Sequence, residues 1–124
     1  MLNATYIFLG GGIGAVARYW LQGFVYRHVS GIFPYGTLVV NFLGCFVIGV
    51  LMTGMEERFV MNPTLRIFLT IGILGGFTTF SSFSYETIAL LREGEFLLGL
   101  ANVGASVAVC LAATYLGTLL GKLF

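Results

Sequence analysis

The sequence predicts an all-α membrane protein, a single domain over residues 1–124 with four transmembrane helices of which the third is broken. Composition is the first reason: 58% of the 124 residues are hydrophobic and 9% charged, whereas a soluble domain carries roughly 25% charged residues. Spacing is the second, because uncharged stretches at 2–17, 29–55, 67–85 and 96–121 approach or exceed the ~20 apolar residues that cross hydrocarbon. The third is the run from Gly72 to Ser84. Gly72, Gly75 and Gly76 weaken helical order there, and the hydroxyls of Thr78, Thr79, Ser81, Ser82 and Ser84 follow at membrane depth. Unwound backbone at that depth persists only where protein buries it or an aqueous cavity meets it, so the run reads as a broken helix beside an ion or substrate path.

The first helix is expected over about 4–26, which carries it past Arg18 and makes that arginine an intramembrane charge. Gly10 and Gly14 on this helix form a face for close packing. The fragment Gly10-x-Gly12-x-x-Ala15 imitates a dinucleotide fingerprint but follows no strand, so it carries no nucleotide reading. The second helix follows Pro34 and runs over 34–54, with Thr37, Asn41 and Gly44 among aliphatic residues. The third is expected over 63–91, capped by Asn62 or Thr64 and broken near 75–79. Nearly thirty residues exceed one regular span, which again fits two half-helices. The fourth is expected over 96–120, with Gly117 and Gly121 at the spacing that lets backbones approach.

Polar side chains inside the spans need partners. Thr37 and Asn41 stand one turn apart on a common face, and so do Asn102, Ser106 and Cys110 on the fourth helix. Either stripe serves as helix-to-helix glue or lines a polar track. Phe80 and Phe83 interleave with Ser81 and Ser82 just past the break. Aromatic rings in membrane helices ordinarily pack, but the ring edge is electropositive and can solvate an anion. Hydroxyls and the Asn41 amide add donors without a full charge that would hold the ion too tightly. The carbonyls freed at the break form the opposite kind of site, one that favours a cation. Arg18 either snorkels to the interface or concentrates anions in a water-filled vestibule. Glu86 fits a pore mouth or an ion pair equally well, and His28 reads as interfacial.

Net charge of +1 excludes an electrostatic case for nucleic acid. Cys45 and Cys110 read as small apolar packing residues without a disulfide. The start of the chain lacks a basic leader and cleavage pattern, so the first helix is expected to be retained. The Asn3-Ala4-Thr5 sequon sits at a membrane helix and reads as chance. No acid–base pair, nucleotide motif or metal-ligand cluster supports an enzyme or an ATP-driven pump. With four spans, Arg58, Arg66 and Lys122 fall on one side and Arg27 and Arg92 on the other. So even a balance sets no orientation, and it makes an antiparallel homodimer in the lipid bilayer available.

The motifs Gly11-x-x-Gly14-Ala15-x-x-Arg18-Tyr19, Gly36-Thr37-Leu38-x-x-Asn41-x-x-Gly44 and Gly75-Gly76-x-Thr78-Thr79-Phe80-Ser81-x-Phe83-Ser84 resemble those of the Fluc (CrcB) family of fluoride channels. The resemblance covers essentially the whole chain. It implies passive fluoride export across a bacterial inner membrane by an antiparallel, dual-topology dimer with two pores. It further implies a structural sodium ion held at the dimer centre by the backbone carbonyls of Gly75 and Thr78. Phe80 and Phe83 would form an aromatic box, Asn41 would coordinate fluoride, and Arg18 would stand in the aqueous vestibule. Thr37, Ser81, Ser82 and Ser106 would follow as polar-track positions. Where some relatives carry a tyrosine in the fourth helix this sequence has Asn102, and Cys110 stands where a serine can occur. The competing reading is a proton-coupled exporter of the small multidrug-resistance type, which uses a glutamate in its first helix. Here that helix holds Arg18 and no acid.

Overall fold

The structure, a computed structural model, describes residues 2–57 and 60–123. Arg58, part of the charge balance across the loops, lies outside the described residues. The chain order is α1 (Leu2–His28), α2 (Tyr35–Glu57), α3 (Pro63–Ile67), a π-helical stretch (Phe68–Leu74), α4 (Gly75–Phe77), α5 (Phe80–Arg92) and α6 (Phe96–Gly121). No strand occurs among the described residues. α3 through α5 form the third span. Tyr35–Glu57, Pro63–Arg92 and Phe96–Gly121 are each long and apolar enough to cross a membrane, so the chain is a multi-pass membrane protein. α1 is as long, at 27 residues, but is interrupted by Arg18 and Gln22.

The helices overrun their expected bounds by a turn or less because interfacial charges can cap them. α1 ends on Arg27 and His28, and the arginine's cation suits the negative end of a helix. His28 Nδ1 lies 2.9 Å from the Phe24 carbonyl. α3 opens on Asn62, whose side chain accepts the Thr64 N–H at 2.8 Å, with Pro63 at the first helical position. Of the two residues expected as caps, Asn62 is the one used. α5 closes in a Schellman motif: Glu95 N–H donates to Leu90 O at 2.9 Å and Gly94 N–H to Leu91 O at 3.1 Å. Gly94 takes φ +79° there, a conformation open to glycine at no steric cost.

Two seams assemble the bundle. Along α1, Gly10 faces Phe68 and Gly72, and Gly14 faces Ile73 and Phe77, so α1 and the third span run parallel. Along α2, Phe46 faces Gly117 and Val50 faces Gly121, so α2 and α6 are parallel as well. At Gly14 an added methyl would overlap the Ile73 carbonyl oxygen, and at Gly117 it would overlap that of Phe46. The glycine faces expected to bring backbones together do so. The π-helical stretch has no counterpart in the expectations. Within it Thr70 Oγ1 donates to the Arg66 carbonyl at 2.8 Å, a side-chain bond that competes with the regular backbone ladder.

Candidate functional site

Between α4 and α5 the backbone is extended at Thr78 (φ −85°, ψ 157°) and Thr79 (φ −150°, ψ 120°). Asn41 of α2 spans this point with both ends of its amide. Its Nδ2 donates to Thr79 O at 2.9 Å, and Thr79 N–H donates to its Oδ1 at 2.8 Å. The reciprocal pair fixes which end of the amide is oxygen. It also leaves the second Nδ2–H without a partner among the described residues, because an amide nitrogen carries two donors.

The surrounding bonds sort the carbonyls of this turn. Thr78 N–H and Thr78 Oγ1 both donate to Leu74 O, at 3.0 and 2.9 Å. Arg18 Nε donates to Gly76 O at 3.1 Å, placing the arginine, half-buried, at the C-terminal end of α4. The Thr79 N–H that would continue the helical ladder onto Gly75 is committed to Asn41. The Ser82 N–H that would reach Thr78 instead donates to Thr79 Oγ1 at 3.1 Å, capping α5. Gly75 and Thr78 are therefore two carbonyls of this turn whose regular donors bond elsewhere.

A cavity of about 340 Å³ opens beside this turn, lined by Asn41, Cys45, Thr78, Thr79, Phe80, Phe83, Ser106, Val107, Cys110 and Leu111. Among the described residues no acidic or basic side chain lines it. The rings of Phe80 and Phe83 lie 5.2 Å apart at 51°, and Phe80 is 78% exposed on the single protomer. Ser106 reaches the wall from α6. Ser81 stands at the exposed edge, its hydroxyl 3.2 Å from Thr79 Oγ1.

Thr37, expected to share a track with Asn41, stands off this cavity. It is buried, accepts Gln22 Nε2–H at 3.2 Å and contacts the Glu86 carboxylate. Glu86 Oε1 is buried without a hydrogen-bond partner in the described residues. Its side chain borders a second cavity of about 270 Å³ with Tyr26, Phe33, Pro34 and Glu93. On α6 the Asn102–Ser106 stripe divides likewise. Asn102, 1% exposed, donates to Thr87 Oγ1 at 2.9 Å, and Thr87 donates to Phe83 O at 2.8 Å. Ser106 Oγ donates to Asn102 Oδ1 at 3.4 Å. Asn102 thus locks α6 to the helix that carries both phenylalanines.

Sequence reasoning missed Gln22 and Thr87. Each is a polar residue one turn from a residue already singled out, Arg18 and Phe83, and that periodicity was the available signal.

Apolar membrane-spanning helices beside a donor-lined cavity have the form of a membrane transport protein. The chain belongs to the family described as CrcB-like protein, Camphor Resistance (CrcB), which it matches over residues 5–118. It is 52% identical over 122 residues to the "Fluoride-specific ion channel FluC" of Geobacter metallireducens, covering 98% of both chains. The same-named protein of Geotalea uraniireducens is 48% identical over 122 residues, again 98% of each. That of Solibacter usitatus is 51% identical over 116 residues, 94% of this chain and 95% of its own. The family resemblance read from the motifs therefore holds, and the named relatives are channels and not enzymes.

Proposed function

We propose that this chain forms a passive, fluoride-selective channel through which cytoplasmic fluoride leaves a bacterial cell across its inner membrane. The observation that carries the reading is the Asn41 amide, held at both ends by Thr79 with one N–H left over at an uncharged cavity. Fluoride is small and strongly hydrated, so aligned donors must stand in for its water, while a fixed cation at the narrowest point would trap it. The second Asn41 N–H and the electropositive edges of Phe80 and Phe83 supply weak donors in series, and the Ser106 hydroxyl joins them when it turns from Asn102. Helix geometry adds the first N–H groups of α5, at the positive end of that half-helix. The names of the relatives give the anion its identity.

The working unit is an antiparallel, dual-topology homodimer with two pores, each entered at the opened turn of the third span. A second copy would cover Phe80, which a single protomer leaves exposed. Ser81 and Ser82 continue the polar track, Thr37 stands apart from it beside Gln22, and Arg18 draws anions toward it. A structural sodium ion fits the carbonyls of Gly75 and Thr78, since it is a hard cation that takes oxygen ligands and their helical donors are engaged elsewhere. Held by Gly75 and Thr78, a sodium ion would offset the partial negative charge of carbonyls brought close together.

Purified protein in liposomes should release fluoride to an electrode while matched chloride-loaded liposomes release nothing; no fluoride efflux would end this reading. Aromatic edge contacts are worth roughly 0.5–1.5 kcal/mol, so Phe80→Ile is expected to slow efflux by up to about tenfold with dimers intact on size exclusion. Preparing the protein with potassium as the sole alkali cation is expected to lower dimer stability in detergent. Equal dimer stability in both salts would remove the sodium.

A further inference from the structure

Cys45 of α2 and Cys110 of α6 are both free thiols, half-buried, and both line the cavity that holds Asn41. They stand on walls supplied by two helices that meet at a close seam: one turn beyond them a methyl on Gly49 would overlap the Thr114 carbonyl, and Gly117 presses on Phe46. Backbones pinned so closely cannot drift apart, so the two thiols stay on neighbouring walls of one cavity. We propose that Cys45 and Cys110 form a binding site for a soft, two-coordinate metal cation, and that its occupancy obstructs the ion path beside Asn41.

The chemistry follows from the ligand set. Thiolate sulfur selects soft d¹⁰ cations such as mercuric, silver or cuprous ions, which are satisfied by two ligands. Zinc requires four, and no group of three or more His, Cys, Asp or Glu side chains able to hold a metal occurs among the described residues. Binding replaces two S–H bonds by two S–metal bonds, releases two protons and changes no oxidation state. With its charge balanced by two thiolates, the bridged ion would put a bulky centre in place of two small S–H groups within the same walls as the Asn41 amide. Fluoride meeting it would be blocked by its size, where the open donor-lined path would pass it on.

The obstruction rests on the channel reading above; the metal site does not. Two measurements with mercuric ion as the probe separate them. In detergent, thiol titration of the folded chain should show one mercuric ion per protomer protecting both cysteines; protection of one thiol, or neither, would overturn the site. In chloride-free liposomes, the same equivalent should abolish fluoride efflux of the parent, and a small dithiol should restore it. Cys45→Ser and Cys110→Ser should each keep their own metal-free rate when mercuric ion is added, because one thiol cannot bridge. A block that persists in either single variant would overturn bridging in favour of separate modification of each thiol. Protected thiols with undiminished parental efflux would overturn the obstruction while leaving the channel reading intact. A parent without fluoride efflux before any metal is added would overturn the channel reading and the obstruction with it, while thiol titration still decides the site.

Discussion

Asn41→Asp is expected to lower fluoride efflux by at least about 100-fold while the dimer persists. The change replaces an NH₂ group by a second oxygen at one place. That oxygen faces Thr79 O, which now accepts Nδ2–H at 2.9 Å, so a donor–acceptor contact becomes a clash of two acceptors. Removing one partner from a buried polar pair costs about 1–3 kcal/mol. The larger effect is on the ion. Two like charges ~4 Å apart repel by about 4 kcal/mol at an effective dielectric constant of roughly 20, which corresponds to about three decades in rate. Both effects act on flux, whereas the glycine seams that hold the helices are untouched. Fluoride-electrode traces from liposomes, beside size exclusion of the same preparation, check it; parental efflux from a dimeric Asn41→Asp protein would take Asn41 out of the pathway.

Gly14→Val carries the largest expected effect on stability. A Cβ at this position overlaps the Ile73 carbonyl oxygen and comes within 2.8 Å of the Phe77 nitrogen. Those obstacles are backbone, so no rotamer change relieves them, and α1 must lift off the third span. Overpacking of a filled interior costs typically 1–3 kcal/mol, and a backbone obstacle places this variant at or above the upper end. Lifting α1 also withdraws Arg18 from Gly76 O and Gln22 from Thr37, so efflux should fall with stability. Gly23→Ala is the matched control, because a methyl there meets nothing within 4 Å and a glycine-to-alanine change inside a helix contributes about 0.5–1 kcal/mol. Thermal unfolding in detergent should place Gly14→Val well below the parent and Gly23→Ala at or above it. Equal midpoints for Gly14→Val and the parent would mean that the seam is not as tight as the geometry states.

Much of this architecture was legible along the chain. Hydropathy places each span, Pro34, Pro63 and Asn62 mark where helices begin, and four-residue spacing of glycine picks out the packing faces before any neighbour is known. Asn41 was legible as a polar group needing a partner because nothing charged lies near it in sequence. Its partner was not, because Thr79 is 38 residues away, and periodicity gives the face a side chain occupies but not what stands opposite. Thr37 shows the same limit. Spacing puts it on Asn41's face, yet packing of α1 delivers Gln22 to one side of it and α5 brings Glu86 to another.

The sequence alone determined an apolar four-helix chain whose third span carries a polar, glycine-marked segment, since hydrophobic length and residue type are local properties that each segment carries with it. Tertiary structure alone decided which donors are spent and which remain. Asn41 consumes Thr79, Arg18 consumes the Gly76 carbonyl, and Asn102 turns away from the cavity toward Thr87. Hydrogen-bond pairing depends on how helices from opposite ends of the chain are set side by side, and that relation belongs to no single segment.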